Sequence, residues 1–97
     1  MQVANGVKVL SFFPGRVRLR VDALKGDRGL VEAVELRLAK IPGISHVEAH
    51  ATSASLLVKY DARQIGRPAS AQALTAALRE LFPGVDVSRL QHWLTSA

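Results

Sequence analysis

The chain has 97 residues, 48% of them hydrophobic and 22% charged, which is the size and composition of one folded domain. Its 13 Lys and Arg against 8 Asp and Glu give a formal charge of +5, which fits either an anionic partner or simple solubility. Because there is no cysteine, disulfides, thiolate catalysis and Cys-based zinc or copper sites are excluded, and a reducing cytoplasmic setting is expected.

The first predicted element is a long strand. Residues Val7 to Phe13 are rich in β-branched and aromatic side chains, and residues Arg16 to Val21 alternate strictly between basic and apolar. Pro14-Gly15, between the two runs, predicts a kink or bulge within this strand. The alternation directs one set of side chains to the core, Val17, Leu19 and Val21, and the other set away from it, Arg16, Arg18 and Arg20.

A helix is predicted next. Asp27 can cap this helix by accepting a hydrogen bond from a backbone N–H of its first turn. The helix is predicted to run through Lys40, because apolar residues recur at helical spacing: Leu30, Val34, Leu38 and Ile41. Pro42-Gly43 ends it.

Two strands and a second helix follow. Ile44 to Ala51 and Ser55 to Tyr60 read as a β-hairpin, and 61–69 reads as a surface loop. Ser70 is predicted to cap a helix that runs to Phe82. Beyond it, Val85-Asp86-Val87 has the length of a short last strand, and Ser88-x-x-Gln91 predicts a terminal helix that carries Leu90, Trp93 and Leu94.

The order β-α-β-β-α-β plus a short helix predicts an α+β, ferredoxin-like fold, with a four-stranded antiparallel sheet and two helices on one face. We expect one domain over residues 1–97, with a core at about 7–87 and a C-terminal helical extension at 88–97. The first strand is central in that plan, so its arginines form a stripe on the uncovered face. Their expected neighbours on that face are Lys59, His46, Glu48 and His50.

Three segments carry a family resemblance: Phe13-Pro-Gly-Arg-Val-Arg-Leu-Arg20, Lys40-Ile-Pro-Gly-Ile44 and Thr52-Ser-Ala-Ser-Leu-Leu-Val-Lys-Tyr-Asp61. Together they resemble the heavy-metal-associated domain family over roughly residues 7 to 87. More narrowly, they resemble its cysteine-less branch, which is found at the front of certain P-type metal-transport ATPases and as small separate proteins in bacteria.

The resemblance implies a setting in metal homeostasis without the family's metal chemistry. The metal-carrying branch has a Cys-x-x-Cys pair in the loop after the first strand, whereas the matching loop here, Asp22 to Arg28, has no thiol. Transfer of Cu(I) is therefore not inherited. The motif Pro14-Gly15-Arg16 is similar to a segment associated with targeting in ATPases of iron-storing ferrosome compartments, which implies a link to iron.

Catalysis and resident metals are not predicted. His46 and His50 lie four residues apart on a predicted strand, about 13 Å, which is too far for two imidazoles to share one ion. His92 could join them only across the fold or an oligomer interface. The carboxylates do not converge in the sequence pattern, and Gly26 and Gly29 lack the spacing of a phosphate-binding loop. We expect no enzyme activity and no cofactor.

The leading hypothesis is an interaction, regulatory or targeting module of heavy-metal transport or storage. Its binding face would comprise Arg16, Arg18, Arg20 and Lys59, and its partner would be a protein of that system. The alternatives are a nucleic-acid or other polyanion binder and a weak binder of hard cations. No apolar run reaches the ~20 residues that span a bilayer, so we expect a cytoplasmic module, at most beside a membrane. The apolar residues around Trp93 predict either docking on the core or self-association.

Overall fold

The computed structural model describes residues 2–4 and 6–86, and it confirms the α+β, ferredoxin-like class, with an antiparallel sheet and helices on one face. The strands are β1 (Gln2–Ala4), β2 (Val7–Phe13), β3 (Arg16–Val21), β4 (Ile44–His50) and β5 (Ser55–Tyr60). The helices are α1 (Arg28–Ala39), α2 (Ala62–Ile65) and α3 (Pro68–Leu81), and a 3-10 turn spans Asp22–Leu24.

Pro14-Gly15 forms a tight turn between two strands, so the prediction of one long kinked strand is wrong. Phe13 pairs with Arg16 across the turn, and Gly15 has a φ of 86°, in the region that favours glycine. Pro followed by Gly at positive φ is the residue order of a type II turn. Such a turn reverses the chain, whereas a bulge only bends it.

This hairpin changes which strand stands beside β3. The sheet order is β1-β2-β3-β5-β4, with every neighbouring pair antiparallel, so four longer strands carry the short β1 at one edge. In the predicted order a C-terminal strand would have paired with the arginine strand, but β2 occupies that place. The sequence also predicted a last strand and a terminal helix at the C-terminus, and the structure describes only part of this segment.

The predicted last strand is absent in its described part, because Val85 instead donates its N–H to the Phe82 carbonyl in a turn (3.0 Å). Val87 lies outside the described residues. So does the predicted terminal helix with Leu90, Trp93 and Leu94, and so does His92.

The observed starts of α1 and α3 agree in part with the starts predicted from the sequence. The Asp27 carboxylate accepts the Leu30 N–H at 2.9 Å, which confirms the predicted cap of α1. The cap assigned to Ser70 is wrong, because α3 begins two residues earlier, at Pro68, and Ser70 is buried in its first turn. Proline is favoured at the first helical position, where its missing N–H has no partner to lose. The predicted loop before α3 holds α2, which Asp61 caps.

The core lies between the sheet and the helices. Along β3 the alternation is as predicted, since Val17 and Val21 are buried, Leu19 is half-buried, and Arg18 and Arg20 are exposed. The inward residues of the sheet meet the apolar sides of α1 and α3 in one cluster, whose most buried members include Val7, Leu24, Val34, Leu38, Leu56 and Ala77. Burial of one face of β3 is what exposes its arginines on the other.

Replacing Gly15 tests the hairpin turn. A side chain there meets two penalties, the positive φ and a Cβ that would lie 3.0 Å from the Tyr60 carbonyl oxygen. We expect Gly15→Ala to lower the free energy of unfolding by about 1–3 kcal/mol, measured by urea denaturation. Gly26→Ala is the control, because Gly26 also has positive φ but open space around it. An equal loss in both variants would contradict a role for the close contact.

Candidate functional site

One side of the sheet carries a concentration of positive charge. The side chains that point away from the helices include Lys8 on β2, Lys59 on β5 and the three arginines of β3, and we call this surface the basic face. Among the described residues, Glu48 on β4 is a carboxylate on this face, and Asp22, directly after β3, lines a pocket together with Lys8 and Arg20. The five cations of the basic face therefore outnumber the carboxylates beside them, which agrees with the chain's net charge of +5.

Like charges stand directly opposite one another on neighbouring strands. Arg16 is paired with Lys59 across β3 and β5, and Arg20 is paired with Lys8 across β3 and β2. Opposed like charges destabilise a sheet. The Arg37–Glu80 ion pair and the contact of His50 with Glu48, both among residues 6–86, involve neither these four cations nor Arg18.

The structure brings together the residues that the sequence singled out. Arg16, Arg18 and Arg20 follow one another on alternate positions of β3, and Lys59 lies beside the first of them. Arg16 is half-buried, whereas Arg18, Arg20 and Lys59 are exposed. Their common position is as predicted, and what they bind stays a prediction.

The two histidines lie on the same side of the sheet, on the edge strand β4. Both are exposed, and the Nε2 atom of His50 is 3.6 Å from a carboxylate oxygen of Glu48. His46 stands opposite Lys59, a cation that disfavours a bound metal ion at that site. Across the described part of the chain, no three His, Asp or Glu side chains are placed to hold a metal ion.

The loop that carries thiols in the metal-binding branch of the resembled family contains lysine and aspartate side chains here. Lys25 in this loop donates from its Nζ atom to the Thr52 carbonyl oxygen at 2.7 Å. The Asp27 carboxylate is engaged at the start of α1. An ammonium group, two carboxylates and no thiol make this loop unsuitable for a soft metal ion.

Sequence reasoning missed the contribution of β2 to the basic face. A β-bulge between Val9 and Ser11 shifts the alternation beyond Leu10, and this shift places Phe13 on the same face as Lys8. Leu10 and Phe13 are exposed, 52% and 60% respectively. Phe12 is half-buried against the core, whereas its neighbour Phe13 is exposed. The available signal was Pro-Gly between two strand-like runs, because this dipeptide also marks turns.

Tyr60 does not belong to the basic face. It lines an apolar cavity of about 70 Å³ between the sheet and the helices, with Leu38 and Leu78 among its neighbours. Burial raises the pKa of Tyr60, partly offset by a hydrogen bond with the Gly15 backbone. Phe13 is therefore the aromatic side chain that the described residues expose on this face.

Several carboxylates elsewhere are used to hold the fold together. Asp61 accepts two N–H groups at the start of α2, and Glu80 pairs with Arg37 between the two long helices. The Glu35 carboxylate accepts the Ala49 N–H at 3.2 Å, so this bond satisfies a backbone donor on the edge strand β4. These bonds account for the three carboxylates without acid-base chemistry. The helices of the described part are all too short or too polar to cross a membrane.

Comparisons with known proteins agree with the family resemblance of the sequence. Residues 1–83 match the family described as heavy metal associated domain 2. Over 78 residues the chain is 36% identical to a zinc-exporting P-type ATPase of Mycobacterium marinum (strain ATCC BAA-535 / M). The match covers 77% of this chain but only 11% of that relative. No solved structure matches the chain.

Metal binding gives a direct test of this site description. We expect Cu(I) and Zn²⁺ to bind the monomer only weakly, because thiols are absent and His46 and His50 stand apart on an edge strand. Titration calorimetry of the wild type and of His46→Ala measures this. Stoichiometric binding at sub-micromolar concentration that is lost in His46→Ala would contradict it.

Proposed function

The chain belongs to the heavy metal associated domain 2 family, and from that membership we propose that it is a non-enzymatic interaction module of a metal-transport system. Its basic face recognises a protein component of metal transport or storage, and the role is regulatory or targeting. The relative's name supports a transport ATPase as the setting. All 97 residues act as one module, on the cytoplasmic side of a membrane system.

The pairing of like charges on the basic face is the observation that carries this proposal. Arg16 against Lys59 and Arg20 against Lys8 oppose folding, and threonine or valine at these positions would suit a strand better. Residues that lower stability without contributing to the core are typical of surfaces retained for binding. Guanidinium groups also form paired hydrogen bonds with carboxylates, which favours an acidic protein surface as the ligand.

Two metals fit the setting. The relative is named for zinc export, while the resemblance of Pro14-Gly15-Arg16 to a targeting segment points to iron. The proposed role is the same in either pathway, because this chain contacts a partner protein and does not carry the ion. The zinc and iron pathways can be distinguished by growing source cells in excess zinc and in excess iron.

A second candidate is a nucleic-acid or other polyanion binder. The charge of the basic face and the position of Phe13 opposite Arg16 favour it. However, RNA-binding sheets of this shape stack two or three bases on exposed aromatic side chains. Weak binding of a hard cation ranks third, because the described residues bring no cluster of oxygen ligands together.

Reversing one central charge tests the proposal. Arg18 is exposed, so Arg18→Glu should change the free energy of unfolding by no more than about 0.5 kcal/mol. The same variant should lose a metal-transport or metal-storage protein that the wild type captures from source-cell extract, with captured proteins identified by mass spectrometry. Arg79→Glu is the matched control, because Arg79 is exposed on α3 and away from the basic face.

Two results would count against the proposal. One is capture of the same proteins by the wild type and by Arg18→Glu. The other is equal loss of capture in Arg18→Glu and Arg79→Glu, which would show that net charge matters and the position of the charge does not.

A further inference from the structure

An apolar border runs along one side of the arginines of β3. Phe13 stands opposite Arg16, and the bulge places Leu10 beside the position opposite Arg18. These two side chains and Leu36 on α1 are the large hydrophobic residues that the described residues expose most. Two of the three therefore lie on the basic face.

The combination is informative about the partner. Arginine and aromatic residues are enriched where proteins bind one another, and aromatic anchors there lie in the centre of the contact. Exposed Leu10 and Phe13 offer no advantage to a ligand that is recognised by charge alone. A ligand that buries them gains affinity from the hydrophobic effect in addition to the ion pairs.

We propose that the basic face binds an acidic amphipathic helix of a protein partner, which lies along β3 with carboxylates over the arginines and apolar side chains over Leu10 and Phe13. This proposal rests on the proposed function and specifies the chemistry of its partner. The open side of a sheet is a surface on which helices pack, as α1 and α3 do on the other side.

The spacing of the arginines matches a helix. Alternate residues of a strand are about 6.6–6.8 Å apart, and residues four apart on a helix rise about 6 Å. A helix with Glu or Asp at every fourth position thus presents one carboxylate to each of Arg16, Arg18 and Arg20. Its adjacent stripe, three residues displaced, faces the apolar border.

Two other anionic ligands fit the surface less well. Phe13 is one aromatic side chain, and single-stranded nucleic acids are bound by stacking on several. A bilayer of anionic lipid would meet the sheet as a plane and would contact Glu48 on β4. A helix along β3 is narrow enough to leave Glu48 in water.

The test uses the whole chain and a synthetic probe. The probe is a fluorescein-labelled, helix-forming peptide with a Glu stripe and an adjacent Leu stripe, and the control peptide has Ser in place of each Leu. Fluorescence anisotropy at physiological salt should show binding of the probe about tenfold or more tighter than the control. Phe13→Ser should weaken probe binding about tenfold, whereas Leu36→Ser, the same kind of change on α1, should leave it unchanged.

The outcomes separate this inference from the proposed function. If Arg18→Glu abolishes binding of both peptides but Phe13→Ser has no effect, the helix inference is overturned and a charge-recognising face remains. If Arg18→Glu has no effect either, both the helix inference and the proposed function are contradicted. Tighter binding of single-stranded RNA or of phosphatidylserine vesicles than of the probe overturns the inference in favour of a polyanion or a bilayer.

Discussion

The tight turn at Pro14-Gly15 is the constraint on which the rest of the structure depends. It pairs β2 with β3, and because β5 pairs with the other edge of β3, the arginine strand has a neighbour on both sides. The turn is also bonded to β5, since the Gly15 carbonyl accepts the Tyr60 N–H at 2.9 Å. A strand held in this way has one fixed face toward the helices. Its arginines have only the opposite face available.

Burial and charge are therefore coupled in a single strand. The same alternation that places Val17 and Val21 in the core sets Arg16 opposite Lys59 and Arg20 opposite Lys8. The hydrophobic contribution of the inward residues exceeds the repulsion between the outward ones, because a buried valine is worth more than a solvent-screened charge pair. The fold can therefore hold a surface of net positive charge. A partner with carboxylates would remove the repulsion when it binds.

Much of this could be predicted from sequence. The helix capped by Asp27, the hairpin at 44–60 and the outward direction of the arginines follow from local patterns, and the structure agrees with each. The turn at Pro14-Gly15 could not be separated from a bulge, because both accept Pro and Gly and the distinction depends on which strands pair at long range. The outward direction of Phe13 rather than Phe12 depends on the same long-range information, since a bulge leaves no mark in the alternation until the register is known.

The claim that the basic face opposes folding is tested most directly by the coupling free energy between Arg16 and Lys59. A double-mutant cycle of Arg16→Thr and Lys59→Thr, followed by urea denaturation at low and at physiological salt, measures it. A repulsive pair predicts that each substitution stabilises the domain more while the other charge is present, by about 0.2–1 kcal/mol, and that added salt reduces this coupling. A coupling of zero, or an attractive one, would contradict the account.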